Sequence, residues 1–227
     1  MLLLFDLDGT LTNSSTGIIR SVNHAFERLG HPEVSDADIR SLIGAPLAQI
    51  FQRVLGPLDG ETIDRGVAAY RERFFEVGFR ENEVYDGVPE TLDDLLARGH
   101  RLQVVTAKPV ASASRVLEHF GLAGYFEMVR GSAPDVHAFD KADLVRLALA
   151  EAGCPAGRTA MIGDRADDVR AGTANGVESV GVLWGYGLAD ELLAAGAAWL
   201  ADAPADLIRV GEGASRPVTG EAGTRHS

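Results

Sequence analysis

Two aspartates separated by one residue follow the first apolar run of the sequence, in Phe5-Asp6-Leu7-Asp8-Gly9-Thr10. Side chains alternate along an extended strand, so the carboxylates of Asp6 and Asp8 point the same way if the strand continues. Two like charges this close repel each other unless a cation lies near them or one of them takes a proton. The pair therefore suits a divalent metal site or acid–base chemistry. Gly9 allows a sharp turn whose amides face an anion.

Other residues of chemical interest follow later apolar runs. The hydroxyl of Thr106 and the amide of Ala107 could hold phosphate oxygens. Lys141 opens a predicted helix, a position where acidic residues are the usual choice. Asp164 and Asp168 lie one helical turn apart. Each of these residues has an ordinary structural explanation when taken singly: Thr106 as a strand-end threonine, Lys141 as an exposed surface lysine, and Asp164 and Asp168 as helix-capping carboxylates.

Short apolar runs alternate with segments of helical spacing, which predicts a Rossmann-like, doubly wound parallel sheet. The predicted strands are residues 2–5, 102–105, 126–129, 159–162 and 180–183. The predicted helices of this part of the chain are residues 110–120, 141–152 and 167–174.

The predicted topology brings the candidate residues together. Ligands bind at the carboxyl ends of the strands in open α/β sheets. The side chains at or just after these ends are those of Asp6, Asp8, Thr106 and Asp164, with Lys141 on the loop into the next helix. Solvated turns and surface residues would not be expected to meet at one edge, so we predict a site there.

The stretch from residue 13 to residue 83 breaks the alternation, because it offers only amphipathic helical patterns, at 17–29, 47–55 and 61–79. We therefore predict a small helical cap over residues 13–83, inserted after the first strand of a catalytic core formed by residues 1–12 and 84–210. The tail 211–227 is rich in small and polar residues without apolar periodicity, which predicts disorder.

Acidic residues outnumber basic ones 33 to 21, and the formal net charge of −12 would repel a nucleic-acid backbone or an anionic membrane surface. No apolar stretch approaches the length of a membrane span, and the leucines at the start are too few for a signal sequence. We expect a cytoplasmic protein with a small-molecule partner, no nucleic-acid or membrane partner, and a monomeric or homodimeric state.

The four motifs, in this order, resemble those of the haloacid dehalogenase-like hydrolase superfamily: Asp6-x-Asp8-Gly-Thr, strand-end Thr106, Lys141 and Gly163-Asp-x-x-x-Asp168. The chain is similar over roughly residues 1–210 to the subgroup of phosphoglycolate phosphatases and 5′-nucleotidases. That closer similarity rests on segments such as Glu83-Val-Tyr-Asp-Gly-Val88 and Gly181-Val-Leu-Trp-Gly-Tyr-Gly187.

The resemblance implies a role for each matching residue. Asp6 would be the nucleophile, and Asp8 would protonate the leaving alcohol and then activate water. Thr106 and Lys141 would hold the phosphoryl oxygens, together with Gly9 and the amide of Ala107. Asp6, the main-chain carbonyl of Asp8, Asp164 and Asp168 would bind Mg²⁺, with Asp168 either a direct ligand or a support to one.

The implied activity is the hydrolysis of a small phosphate monoester through an aspartyl-phosphate. Phosphoglycolate, a nucleoside 5′-monophosphate and the phosphate of a sugar or biosynthetic intermediate all stay open as substrates. Cap residues that could read the leaving group are Arg20, Gln49, Arg71 and Arg73. A phosphomutase of the same superfamily is the second hypothesis. A phospho-accepting signalling domain is a remote third, because its accepting aspartate lies on a strand well inside the chain.

Overall fold

The chain folds around a parallel sheet of six strands in the order β5-β4-β1-β6-β7-β8, beside a two-stranded antiparallel pair, β2-β3. The computed structural model describes residues 1–132 and 140–211. The strands are β1 (Leu2–Phe5), β2 (Thr12–Asn13), β3 (Glu83–Val84), β4 (Arg101–Pro109), β5 (Met128–Ser132), β6 (Thr159–Gly163), β7 (Glu178–Val182) and β8 (Trp199–Ala201).

The α-helices are α1 (Ser15–Arg28), α2 (Asp36–Arg40), α3 (Leu47–Leu55), α4 (Gly60–Glu76), α5 (Val88–Ala97), α6 (Val110–His119), α7 (Lys141–Ala152), α8 (Ala166–Ala174) and α9 (Ala189–Ala195). Short 3₁₀ helices cover Gly78–Glu81, Ala123–Tyr125, Ala156–Arg158 and Pro204–Arg209. No helix within the described ranges is long and apolar enough to cross a membrane.

Strand β1 lies at the centre of the sheet because all four of its side chains are apolar and buried. Alternation along the strand divides them between the two faces: Leu3 and Phe5 join one apolar cluster, and Leu2 and Leu4 join the other. The neighbours of Phe5 are Val104 on β4 and Ile162 on β6. Residues that directly follow these three strands therefore meet at one edge of the sheet.

Helices α1 to α4 form a helical insert between β1 and the rest of the sheet. The apolar residues of α1 recur at helical spacing and are buried, and Phe26 packs edge-on against Phe51 of α3 with ring centroids 5.3 Å apart. Strands β2 and β3 join the insert to the sheet, because Thr12 pairs with Val84 and Asn13 with Glu83. The polypeptide thus leaves and re-enters the core at one place.

The predicted parallel α/β sheet and the helical insert after the first strand are confirmed, and each predicted strand overlaps an observed one. Strand β8, the pair β2-β3 and the five-residue helix α2 were not predicted, because each is too short to show a periodicity. The domain boundaries at 12/13 and 83/84 stay a prediction. Most of the tail predicted to be disordered, residues 212–227, lies outside the described residues.

Candidate active site

Asp6 directly follows β1 and belongs to a group of buried carboxylates. Its main-chain N–H donates a 2.9 Å hydrogen bond to the carbonyl of Ile162, which keeps it aligned with β6. Asp6, Asp164 and Asp168 each place one carboxylate oxygen within 4.8 Å of the others. None of the three residues is more than 3% exposed. The structure therefore brings together three acidic residues that are distant in sequence.

Lys141 is the buried cation of this group. Its Nζ lies 3.1 Å from Oδ1 of Asp6 and forms a second ion pair with Oδ1 of Asp168. Lys141 is the first residue of α7, and that helix is capped by Asp140, whose side chain accepts a 2.9 Å hydrogen bond from the N–H of Ala142. A lysine at a helix N-terminus is unfavourable to the helix dipole, and the two carboxylates compensate for it.

Asp164 and Asp168 are held by hydrogen bonds that their position after β6 makes available. Oδ2 of Asp168 accepts a 2.9 Å bond from the N–H of Arg165 and so caps α8. Asp164 receives the main-chain N–H of Tyr186 on Oδ2 at 2.8 Å and the hydroxyl of Thr10 on Oδ1 at 3.3 Å. Both carboxylates are fixed in orientation, which suits ligands of a metal ion.

The loop after β7 supports Asp164 and reaches the start of the insert. The Tyr186 hydroxyl accepts a 2.8 Å hydrogen bond from the N–H of Ser14 and lies 3.2 Å from the side-chain oxygen of Asn13. The indole N–H of Trp184 donates to the carbonyl of Thr10 at 3.0 Å. Because a Cβ at Gly185 would collide with Asp164, only glycine lets the loop approach so closely.

Gly9 contributes in a different way from the one expected. Its φ of +89° is in the left-handed region, and a Cβ there would collide with the carboxylate of Asp164. Its N–H, however, donates a 2.8 Å hydrogen bond to the carbonyl of Thr12. The expectation that the Gly9 amide faces an anion is therefore not met, because that amide closes the turn; the residue is needed for the turn and for its close approach to Asp164.

Asp8 lies apart from the carboxylate cluster and pairs with a second lysine. Nζ of Lys108 donates a 2.7 Å hydrogen bond to Oδ2 of Asp8, and both residues are 9% exposed. Oδ1 of Asp8 is buried without a hydrogen-bond partner in the described part of the chain. The side chain of Asp8 is thus not among the clustered carboxylates that could hold a metal ion, which agrees with its implied donation through the main-chain carbonyl only.

A cavity between the insert and the sheet opens onto Asp8. The cavity is open to solvent at its mouth. Its walls are mostly apolar, and its polar lining includes Asp8, Lys108, Ser112 and Ser132. Apolar lining residues from the insert are Ile18, Ile43, Leu47, Ile50, Val67 and Phe74. An apolar lining with a few polar groups is typical of a small-molecule site.

Burial and neighbouring charges together raise the pKa values of two acids of the site, Asp6 and Asp164, and of its base, Lys141. Burial raises the pKa of Asp6 to about 6 against the opposing effect of Lys141, and the carboxylates of Asp168 and Asp8 add to the increase. Burial, helped by Asp168 and Asp6, also raises the pKa of Asp164 well above its usual value. For Lys141, burial lowers the pKa, but its two acidic neighbours outweigh burial and raise it. Without a further cation, the ionised forms of Asp6 and Asp164 are therefore disfavoured.

A divalent cation fits this cluster. Three buried carboxylates face one lysine, so negative charge is in excess, and Oδ1 of Asp6 accepts no hydrogen bond from the described residues although Lys141 lies near it. The donors are all oxygens, which Mg²⁺ prefers. A bound cation would coordinate the buried oxygen and compensate the excess negative charge.

The remaining predicted site residues lie at the same edge of the sheet. Thr106 is buried, two residues beyond Val104, the last β4 residue paired with β1, and its hydroxyl accepts a 3.2 Å bond from the N–H of Lys108. Ala107 lines the cavity. In the insert, Arg20 and Arg73 both pair with Glu81.

Of the candidates for reading the leaving group, Arg71 alone lines this cavity; Gln49 is exposed on α3. Sequence reasoning did not assign a role to Lys108, Phe74, Tyr70 or Tyr186. For Lys108 one signal was available: Lys108 and Lys141 are the only lysines of a sequence that otherwise uses arginine.

Comparison with known proteins identifies the family. A family model described as haloacid dehalogenase-like hydrolase matches residues 3–182. A 5′-nucleotidase from Pseudomonas aeruginosa is 43% identical over 192 residues, which cover 85% of this chain and 86% of that protein. The tyrosine-protein kinase PtkA of Mycobacterium tuberculosis is 38% identical over 190 residues, covering 83% of this chain and 64% of that longer protein.

A solved structure agrees in fold. The crystal structure of a predicted phosphatase from Clostridium acetobutylicum superposes with a TM-score of 0.86 at 35% identity, over 92% of this chain and 96% of that one. Residues 3–182, which the family model matches, contain every residue of the buried carboxylate cluster. Sequence, fold and site thus agree that the chain belongs to the haloacid dehalogenase-like hydrolases and is a phosphatase of that family acting on phosphorylated small molecules.

Proposed function

We propose that this phosphatase hydrolyses a small phosphate monoester through an aspartyl-phosphate formed on Asp6. The observation that carries the proposal is the buried oxygen Oδ1 of Asp6. It lies at the end of β1, 3.1 Å from the ammonium group of Lys141. A carboxylate buried beside a cation that can bind phosphoryl oxygens is well placed to act as the nucleophile.

In the first step, an Asp6 oxygen attacks phosphorus, the bond from phosphorus to the leaving oxygen breaks, and that oxygen takes a proton from Asp8. Lys141, the hydroxyl of Thr106 and the amide of Ala107 bind the phosphoryl oxygens and keep them in line with the attacking atom. Positioning and charge neutralisation are the main requirements of phosphoryl transfer.

In the second step, Asp8 removes a proton from a water molecule, which attacks phosphorus and releases inorganic phosphate and the Asp6 carboxylate. The same side chain thus serves as acid and then as base. Asp6, Asp164, Asp168 and the carbonyl of Asp8 would hold Mg²⁺, which supplies positive charge to the phosphoryl oxygens.

The cavity supports a leaving group with an apolar or planar body. The small polar body of glycolate would leave the apolar walls formed by Ile18, Ile43 and Phe74 without contacts. Among the substrates considered, a nucleoside 5′-monophosphate or an aromatic biosynthetic phosphate makes better use of these walls than phosphoglycolate. The position of the cavity beneath the insert also disfavours a folded phosphoprotein.

The proposal is tested by measuring inorganic phosphate released from a panel of phosphorylated metabolites in the presence of Mg²⁺, ranked by kcat/KM. We expect nucleoside or aromatic monoesters to rank above phosphoglycolate. Acid-quenched Asp8→Asn protein should carry the mass of one phosphoryl group on the peptide that contains Asp6. Absence of phosphate release from every member, or a phosphoryl group on another residue, would contradict the mechanism.

The second candidate, a phosphomutase, differs in its product. A mutase returns the phosphoryl group to the organic product, so sugar phosphates in the panel would be isomerised. We expect phosphate release without an isomeric sugar phosphate, which ³¹P NMR of the reaction mixture distinguishes directly.

A further inference from the structure

Both lysines of the sequence are buried in the site, and the mechanism above gives a task to Lys141 only. The Lys108 side chain is 6% exposed and that of Asp8 is 12% exposed, with 2.7 Å between Nζ and Oδ2. An ion pair taken this far out of water needs good geometry to offset the desolvation of its charges. Because the pair includes Asp8, the proposed acid–base residue, it is more than a surface contact.

The sheet fixes the main chain of Lys108 from two sides. Its N–H donates to the hydroxyl of Thr106. Gly131 of β5 lies against the Lys108 carbonyl so closely that a Cβ at residue 131 would collide with it. The main-chain end of the side chain is therefore held in place, and the ammonium group is directed to Asp8.

The insert fixes the other end of the side chain. Nζ of Lys108 lies 4.6 Å from the ring centroid of Phe74 on α4, within the range of a cation–π contact. Tyr70, one turn earlier, stacks on Phe74 with centroids 5.6 Å apart and planes 10° from parallel. An aromatic pair of the insert thus covers the lysine that contacts Asp8.

We propose that Lys108 is a positioning residue for Asp8 and that Phe74 of the insert holds Lys108 in that position; this inference rests on the proposed function. An ammonium group only donates hydrogen bonds, so Oδ2 of Asp8 must act as an acceptor. The proton that Asp8 transfers therefore sits on Oδ1, the oxygen without a hydrogen-bond partner in the described residues. Lys108 keeps its own protons throughout, while the proton on Oδ1 passes to the leaving oxygen as its bond to phosphorus breaks.

The coupling to Phe74 gives closure of the insert a chemical consequence. When the aromatic pair is in place, Lys108 is held against Asp8 and Oδ1 is presented to the site. If the insert moves away, the ammonium group loses its ring contact and the orientation of Asp8 is less restricted. Proton transfer is thereby favoured only after the site has been covered.

The test compares two esters of similar size, 4-nitrophenyl phosphate and 4-nitrobenzyl phosphate. The first has a good leaving group that needs little protonation, and the second has an alkoxide leaving group that needs a well-placed acid. In single-turnover measurements with Mg²⁺, Lys108→Met should lower the rate with the benzyl ester about 10²-fold, as expected for a misplaced catalytic group. The rate with the phenyl ester should fall less than about fivefold, and KM should change little for either ester.

Two further variants serve as a test of rescue of the rate and as a structural control. Lys108→Arg retains a donor-only cation and should recover part of the rate with the benzyl ester. Arg101→Met is the matched control, because it removes an ion pair, with Glu127, at the opposite end of the same strand; it should leave both rates unchanged. Circular dichroism and the melting temperature identify any variant that fails to fold, and Lys108→Arg then serves as the deciding variant.

The role of Phe74 is tested with Phe74→Leu and with a double variant. Phe74→Leu should show the same selective loss as Lys108→Met, though smaller, and Phe74→Tyr should retain activity because it keeps a ring. In the double variant Phe74→Leu with Lys108→Met, the effects should not add, because both act through one contact. Fully additive losses would contradict the link to the insert.

Equal losses with both esters would overturn the inference, because they indicate that Lys108 binds the phosphoryl group or the leaving group directly. An effect that consists only of a higher KM would also overturn the inference. A wild-type enzyme that releases phosphate from no monoester would instead contradict the proposed function itself. The two failures are therefore distinguished by the wild-type measurement.

Discussion

Nζ of Lys141 lies 3.1 Å from Oδ1 of Asp6 and is shared with Asp168, so one buried cation serves two buried carboxylates. We predict that Asp6→Asn lowers kcat at least about 10⁴-fold, as expected for loss of a nucleophile. An amide is neither an anionic nucleophile nor a good metal ligand. Loss of a carboxylate also relieves repulsion, so the metal-free variant should melt at or above the wild-type temperature. Near wild-type turnover would exclude Asp6 as the nucleophile.

Removal of divalent cations should stop turnover, and Mg²⁺ should restore it. Binding to the folded state alone stabilises the protein, by about 2.7 kcal/mol at a concentration one hundred times Kd. We therefore expect Mg²⁺ to raise the melting temperature of the chelator-treated protein. Asp164→Asn should abolish this rise, and Asp167→Asn is the matched control, because Asp167 lies three residues later, is exposed on α8 and pairs with Arg170. An equal rise in all three proteins would place the cation elsewhere.

The raised pKa of Asp6 predicts a pH dependence of the metal-free protein. Burial raises this pKa from 3.8 to about 6, so between these values the folded state binds more protons than the unfolded state. Stability then falls as the pH rises through this window. The melting temperature in chelator should decrease more for wild type than for Asp6→Asn from about pH 4 to about pH 6. Parallel curves for the two proteins would contradict this assignment.

Gly185→Ala should disable the metal site without replacing a charged residue. The added Cβ would collide with Asp164 and with the carbonyl of Gly9, so Asp164 or the loop must move. We expect a lower melting temperature and a weaker response to Mg²⁺. Gly124→Ala is the control, because a Cβ at Gly124 has no neighbour within 4 Å. If both variants respond to Mg²⁺ like wild type, the loop does not support Asp164.

The sheet could be predicted from sequence because its central strands are apolar on both faces. Leu2–Phe5 and Thr159–Gly163 are fully buried runs flanked by polar turns, and this pattern is local. Strand β8 could not be predicted in the same way. Its three residues lie next to several alanines, and its strand conformation depends on pairing with Val180 to Val182 of β7.

The carboxylates of the site could also be predicted, because their position after parallel strands is a property of topology. The burial of Lys108 could not, since a lysine just past the predicted strand 102–105 is usually exposed. Its burial depends on Phe74, a residue 34 positions earlier in the chain and on a different element. Likewise, the support that Tyr186 gives to Asp164 is a main-chain contact, which no side-chain pattern reveals.

The pairing of Thr12 with Val84 and of Asn13 with Glu83 places the entry and exit of the insert side by side. Neither β2 nor β3 belongs to the six-stranded sheet, so the register of β1 against β4 and β6 does not depend on what lies between them. Residues 14–82 can therefore lengthen, shorten or be exchanged during evolution while the strand ends that carry Asp6, Thr106 and Asp164 stay in place. Selection for a new leaving group can act on this stretch as long as the contact of Phe74 with Lys108 is kept.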